Sequence, residues 1–135
     1  MKINYLNSFI KTYDSNSLEE VQKLYDQRSG SKLLLDNTYG EYHFLIESCH
    51  SLNGTPQFTL CFSADKSFDE LSLLIWKESS IWVLETNELI YLIDPLNGKI
   101  VNTSPKLTPI IGFYVIKNKL LISVSYTHLT LPTKA

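Results

Sequence analysis

The sequence FTLCFS, residues 58–63, alternates strictly between large apolar residues and smaller ones. In an extended chain, successive side chains point to opposite faces, so Phe58, Leu60 and Phe62 would share one face and the residues between them the other. This alternation predicts a half-buried β-strand that turns its aromatic face toward the core.

Similar runs fill the chain from Lys32 onward. They are rich in β-branched, aromatic and leucine residues, and turn residues separate them, which is typical of short strands. Residues 71–76 and 81–84 are almost continuously apolar, so we expect burial on both faces. Asp69 and Glu70 could also begin a helical turn. The predicted strands are residues 32–36, 41–49, 57–63, 71–77, 81–85, 89–94, 99–103, 111–117 and 119–123.

Turn-forming residues connect these strands. The Asn-Gly pair at 53–54 favours a turn that needs a positive φ, and a second pair closes the sequence DPLNG at 94–98, where proline presets the first φ. The pairs at 86–87 and 117–118 are predicted to form tight hairpin turns. Residues 104–109 contain two prolines and no strand pattern, which indicates a loop.

A helix is predicted over residues 17–28. Ser17 is followed three residues later by Glu20, which is the capping-box spacing. Gly30 is a plausible stop signal. Residues 2–13 are ambiguous between a short helix and a strand. The apolar face of the predicted helix consists of Leu18, Val21, Leu24 and Tyr25.

These patterns together predict a mainly β (α+β) fold, with antiparallel β-hairpins in a meander and an N-terminal helix. Residues 1–30 would form a helical N-terminal segment. Residues 31–123 would form an antiparallel β region, which is one domain or part of one.

The composition excludes several classes of protein. The chain has 135 residues, of which 44% are hydrophobic and 19% charged, so it can build a core. Twelve Lys and Arg against 14 Asp and Glu leave no basic excess for nucleic acid. No apolar run approaches the ~20 residues that span a bilayer, and the N-terminus lacks a secretory signal pattern. We therefore expect a cytoplasmic protein with no nucleic-acid and no membrane partner.

A faint internal repeat occurs in the second half of the chain. Residues 82–85 align with 114–117 at a spacing of 32, and residues 87–91 align with 118–122 after a one-residue gap. Each copy reads as an aromatic-apolar strand, an asparagine turn and an apolar strand. A repeated hairpin suggests stacked sheets that cover one another.

Residues 90–100, IYLIDPLNGKI, resemble the blade signature of quinoprotein-type β-propellers: an apolar strand, Asp, two free positions, Thr or Asn, Gly and a return strand. The resemblance covers residues 80–123. It implies the first blades of a truncated propeller behind a helical segment. Asn102 stands where those blades usually have a tryptophan that packs between blades. No residue here matches a quinone-binding or metal-binding position, so the resemblance implies no cofactor.

Residues 124–133, VSYTHLTLPT, resemble a translated sequencing adaptor of the transposon-end type. Reverse translation can produce that adaptor without interruption, and Ser123 and Lys134 have codons that fit its flanks. Residues 124–135 are therefore interpreted as an adaptor-derived artefact, which carries no information about the fold. We expect the genuine chain to cover residues 1–123 and to be the N-terminal part of a longer protein.

The residues that could carry chemistry are few. Metal binding would have to use His43, Cys49, His50 and Cys61, which lack the usual zinc-ligand spacing. Nucleophilic catalysis would need one of the cysteines beside one of these histidines. His43 lies within an apolar strand, where a structural role is favoured. We therefore assign no catalytic, no cofactor-binding and no metal-binding residue.

The pairing of Cys49 and Cys61 depends on the turn between them. A two-residue Asn-Gly turn would place Cys49 opposite Phe58 and Cys61 opposite Ile46. A longer loop centred on Thr55 would place the two cysteines opposite each other and allow a disulfide. Free buried thiols are favoured in a chain with no secretion signal.

Surface and core are less clearly marked. Glu85 and Glu88 flank a turn, so we expect both carboxylates to be solvated. Trp82 lies beside apolar residues and is predicted to be in the core, whereas Tyr39 and Tyr42 lie near a turn and could be exposed.

The sequence favours a non-catalytic binding or scaffold module with a possible protein partner, as the N-terminal part of a bacterial-type β-propeller-like protein. Two alternatives stay open. One is a small acidic immunity-type protein that binds a toxin. The other is part of an enzyme whose site lies in a later part of the protein.

Overall fold

The computed structural model describes residues 2–4, 9–49, 56–76, 81–106, 110–117 and 119–124. This part of the chain is mainly β, with antiparallel sheets and an N-terminal helix, which confirms the predicted fold class. The strands are β1 (Lys2–Asn4), β2 (Phe9–Ser15), β3 (Ser31–Leu34), β4 (Tyr42–Cys49), β5 (Pro56–Ala64), β6 (Ser72–Trp76), β7 (Ile81–Glu85), β8 (Leu89–Asp94), β9 (Lys99–Pro105), β10 (Ile110–Ile116) and β11 (Lys119–Val124). Helix α1 spans Leu18–Asp26, and a 3-10 turn at Phe68–Glu70 precedes β6.

The described strands form three sheets. The first sheet has the order β2-β4-β5-β3, the central sheet has the order β1-β6-β7-β8-β9, and β10 and β11 form a hairpin. Strands β6 to β9 are an antiparallel meander. The β1–β6 and β3–β5 pairs are parallel, whereas the sequence predicted only antiparallel pairs. Parallel partners must be distant in sequence, so no hairpin pattern reveals them.

The core lies on both faces of the central sheet. One face packs against the first sheet and the other contacts Phe113 of the β10–β11 hairpin. In β7, Trp82 and Leu84 face the first sheet, whereas Val83 faces Phe113. This confirms the predicted two-sided burial for residues 82–84. It also confirms Trp82 as a core residue, with its ring edge-on to a phenylalanine of β5 at 4.8 Å between centroids.

Strand β5 is buried on both faces, so the prediction of a half-buried strand is wrong. Phe58, Leu60 and Phe62 do share the core face. The opposite face is covered by α1, whose Val21 packs with Cys61 of β5 and Leu45 of β4. Because β5 also lies between β4 and β3, its residues from Phe58 to Ala64 are all buried, and only its start at Pro56 and Gln57 reaches water.

The predicted helix is present but two residues shorter at its end. Ser17 is its N-cap, and its Oγ accepts a hydrogen bond from the Glu20 N–H at 3.2 Å. In a complete capping box, the Glu20 side chain would accept from the Ser17 N–H. Here Ser15 Oγ accepts from the Ser17 N–H instead, at 3.0 Å, and donates to the Glu20 carboxylate. The ambiguous residues 2–13 contribute β1 and most of β2, so the segment 1–30 carries strands as well as the helix.

The turn at 94–98 forms as its residues predict. Asp94 Oδ1 accepts from the Leu96 N–H at 2.9 Å, and Asp94 Oδ2 accepts from Asn97 Nδ2 at 2.7 Å. Gly98 has φ +63, and a Cβ added there would lie 2.6 Å from the Lys32 carbonyl oxygen. The turn therefore packs closely against β3 and ties the central sheet to the first sheet.

The other predicted turns differ in outcome. The β10–β11 hairpin closes through Lys117, whose φ is +51, as expected for residues 117–118. The β7–β8 turn is centred on Asn87 and Glu88, one residue later than predicted, because Thr86 pairs with Leu89. Strand β9 extends through Pro105 into the predicted loop. The turn at 53–54 lies outside the described residues, as does the chain after Val124.

No helix in the described ranges is long and apolar enough to cross a membrane.

Candidate functional site

An open cleft of about 210 Å³ lies where the first and central sheets meet. Three parts of the chain form it: the loop between β3 and β4, the end of β5, and the β7–β8 turn with the start of β8. We call it the inter-sheet cleft. Its lining residues are Asn37, Thr38, Tyr39, Ser63, Thr86, Asn87, Glu88, Leu89 and Tyr91.

The loop between β3 and β4 is held against the end of β5. Thr38 Oγ1 donates to the Leu35 carbonyl oxygen at 2.6 Å and accepts from the Ser63 N–H at 2.8 Å. Gly40 has φ +145, and a Cβ added there would lie 2.0 Å from the carbonyl carbon of Ala64. Only glycine permits this backbone approach, and it places Tyr39 at the cleft.

Asn87 joins the two sheets across the cleft. Its Nδ2 donates to the Tyr39 carbonyl oxygen at 2.9 Å, and its Oδ1 accepts from the Asp65 N–H at 2.9 Å. The Tyr39 hydroxyl donates to Glu88 Oε1 at 2.6 Å, and this bond raises the pKa of Tyr39. Tyr39 is 53% exposed, as its position near a turn suggested, so its ring forms an accessible wall of the cleft.

Asn87→Ala should lower the free energy of unfolding by about 1–3 kcal/mol, because it removes several hydrogen bonds worth about 1 kcal/mol each. Asn87 has a negative φ, so alanine fits the turn without strain. Urea denaturation measures the change. Asn102→Ala is the matched control, since Asn102 is exposed on β9 and, among the described residues, its side chain accepts only from the Thr103 N–H.

The Asn102→Ala variant should unfold at the urea concentration of the parent chain. Equal midpoints for the Asn87→Ala and Asn102→Ala variants would contradict the bridging role of Asn87.

Tyr91 lines the cleft but is only 5% exposed. Burial raises the pKa of its hydroxyl, and the carboxylates of Asp36 and Glu88 raise it further. The hydroxyl therefore stays protonated near neutral pH. None of the hydrogen bonds described for this part of the chain uses it.

In the part of the chain that it describes, the structure does not bring together the cysteines and histidines that the sequence offered for catalysis. His43 Nδ1 lies 2.7 Å from Ser63 Oγ, not near a thiol. Ser63 is 7% exposed, and its neighbours on that face of the sheet pack against α1. His50 lies outside the described residues. Among the described residues, no group of three or more His, Cys, Asp or Glu could hold a metal ion.

Both cysteines are free and buried, which confirms the thiol interpretation. The observed register places Cys61 opposite Leu45 and Cys49 opposite Pro56. It matches neither register considered from the sequence. The disulfide alternative is therefore wrong for this fold.

The stability of the chain should fall as pH rises from about 9 to about 11 because of Cys61. Burial is the main cause that raises the pKa of its thiol from 9.0 to about 11. As pH rises, the unfolded chain loses the thiol proton before the folded chain does. The contribution of Cys61 to the free energy of unfolding is therefore complete below pH 9 and is lost as pH rises through 11.

Urea denaturation of the parent chain and of the Cys61→Ala variant at pH 8, 9, 10 and 11 checks this prediction. The difference between the two isolates Cys61 from the tyrosines. A pH-independent difference would contradict it.

Glu85 is fully buried, so the prediction of a solvated carboxylate is wrong for this residue, whereas Glu88 is exposed as expected. Lys106 Nζ donates to Glu85 Oε2 at 2.9 Å and to the Thr86 carbonyl oxygen at 2.8 Å. Glu85 follows the alternation of β7 and shares the face of Val83. The sequence offered one sign that Glu85 is buried, because this residue continues an apolar strand. Nothing in the sequence indicated that Lys106 is its ion-pair partner.

Comparison with known proteins provides no relative from which a role could be transferred: no family model, no curated protein and no solved structure matches the chain.

Proposed function

We propose that this chain is a non-catalytic binding module of the cytoplasm and the N-terminal part of a longer β-propeller-like protein. The observation that supports this most is the arrangement of the central sheet. Strands β6 to β9 form a four-stranded antiparallel meander. The first sheet packs on one face of this meander, and the β10–β11 hairpin packs on the other. Radially repeated four-stranded sheets that cover one another are the architecture of propellers.

The position of the β10–β11 hairpin also supports the proposal. Strand β10 contacts β6, the first strand of the preceding meander. In a propeller, the first strands of successive blades lie side by side around the centre. Ile110, the start of β10, follows Ser72, the start of β6, by 38 residues. This offset is nearer to the ~40–50 residues usual for propeller blades than is the 32-residue repeat in the sequence.

Three features support a binding role rather than a catalytic one. The pKa of the Cys61 thiol is raised to about 11, which suppresses the thiolate that a nucleophile needs. Ser63, whose hydroxyl lies 2.7 Å from His43 Nδ1, is only 7% exposed. The inter-sheet cleft, in contrast, is open and lined by tyrosine, amide and carboxylate groups, which suit reversible recognition.

The test is to sequence the source gene past the codon for Ser123, express the whole reading frame and determine the structure of the product. We expect further four-stranded meanders that begin about 40 residues apart, with the β10–β11 hairpin as the start of the second. A product that ends without further sheets, or one in which β10 does not lie beside β6, would contradict the proposal.

A further inference from the structure

We propose that the inter-sheet cleft binds the guanidinium group of an arginine side chain presented by a protein partner. The inference deepens the proposed binding role and rests on it. The groups that carry it are the exposed ring of Tyr39, the carboxylate of Glu88 and the hydroxyl of Tyr91, all on the cleft lining.

The charge of the cleft favours a cation. Its lining includes the carboxylate of Glu88 and no Lys or Arg. Asp65 lies beside it, bonded to Asn87 through its N–H. The carboxylates of Asp36 and Glu88 both act on Tyr91, so the negative potential extends to the inner part of the cleft. A neutral ligand would gain nothing from this potential, and an anion would be repelled.

Two groups in the cleft keep hydrogen-bonding capacity for a ligand. Glu88 Oε1 accepts from Tyr39, and no described residue bonds its Oε2. Tyr91 lines the cleft, and none of the hydrogen bonds among the described residues uses its hydroxyl. A ligand in the cleft can therefore bond both groups without breaking a hydrogen bond of the fold.

Arginine matches these groups better than lysine does. Its guanidinium is planar and can lie on the Tyr39 ring while its N–H groups reach Glu88 Oε2 and the phenol oxygen of Tyr91. A lysine ammonium is more strongly hydrated and cannot stack. A cleft of about 210 Å³ is below the size usual for cofactors, and a single side chain suits it.

The test is a titration of the chain, followed by NMR of the tyrosine rings. The probes are acetyl-Gly-Arg-Gly-amide, its lysine counterpart and its citrulline counterpart, which has the shape of arginine without the charge. Tyr39→Phe and Tyr91→Phe assign the two ring signals. We expect the arginine peptide to shift both signals saturably at millimolar concentration, with the lysine peptide weaker and the citrulline peptide inactive.

Variants identify the groups responsible. Glu88→Gln keeps an oxygen that accepts from Tyr39 but removes the charge, and Tyr91→Phe removes a hydroxyl that bonds no other residue of the described ranges. Each should weaken binding of the arginine peptide about tenfold, the effect of one charge-assisted hydrogen bond. Glu19→Gln is the matched control, because Glu19 is an exposed acid on α1 away from the cleft. The affinity of this variant for the arginine peptide should equal that of the parent chain.

Three outcomes would overturn the inference: equal binding of the citrulline peptide, unchanged affinity in the Glu88→Gln variant, or no shift of the Tyr39 and Tyr91 signals with any probe. Binding of a neutral peptide at the same signals would leave the cleft a binding site of another specificity. The gene-continuation experiment does not involve the cleft, so failure of this inference and failure of the proposed function are distinguishable.

Discussion

Lys106→Met should lower the free energy of unfolding by roughly 3–5 kcal/mol, the usual cost of removing one partner from a buried ion pair. The side chains of Lys106 and Glu85 are 6% and 0% exposed. Methionine fills the space of the lysine stem but leaves the carboxylate of Glu85 buried without a cation. Glu85 Oε1 already has no partner among the described residues, so nothing nearby compensates.

Urea denaturation followed by circular dichroism at pH 7 measures this loss. Lys99→Met is the matched control, because Lys99 is exposed on β9, and it should change stability by no more than about 0.5 kcal/mol. The double variant Lys106→Met/Glu85→Leu should recover most of the loss, since it leaves no unpaired charge. A Lys106→Met variant within about 1 kcal/mol of the parent chain would show that the pair is not buried as described.

The second large effect is expected at Gly40. Gly40→Ala should destabilise the chain by roughly 4 kcal/mol or more, in the range reached by backbone strain combined with steric overlap. The φ of +145 is one that side chains rarely adopt, and the new Cβ would lie 2.0 Å from Ala64 backbone atoms that cannot rotate away. Because the Gly40 contact holds the β3–β4 loop on β5, the inter-sheet cleft should be lost as well.

Gly30→Ala provides the comparison for Gly40→Ala. Gly30 also has a positive φ, +88, but its added Cβ would lie 3.1 Å from the nearest atom, the Pro56 carbonyl oxygen. Its cost should be about 1–2 kcal/mol, the penalty of the left-handed region. The measurements are urea denaturation and the Tyr39 ring signal. Equal costs for the two variants, or an unchanged Tyr39 signal in Gly40→Ala, would contradict the close contact with Ala64.

Local features of this protein were determined by the sequence alone. The N-cap at Ser17, the turn around Asp94 and Gly98, and the bounds of β7 and β8 follow from interactions between residues a few positions apart. Hydrophobic alternation also identified the core face of β5 and the core position of Trp82. These features are readable because their physical cause lies within one short segment.

Tertiary structure alone decided the rest. Four features depend on contacts between residues that are distant in the chain. They are the covering of β5 by α1, the parallel pairing of β1 with β6 and of β3 with β5, the burial of Glu85 with Lys106 and the assembly of the inter-sheet cleft. Tyr39 and Asn87, 48 positions apart, become neighbours because Gly40 packs on β5 while the β7–β8 turn ends beside it. The free energy of such contacts depends on the packing of whole sheets, and no local pattern encodes it.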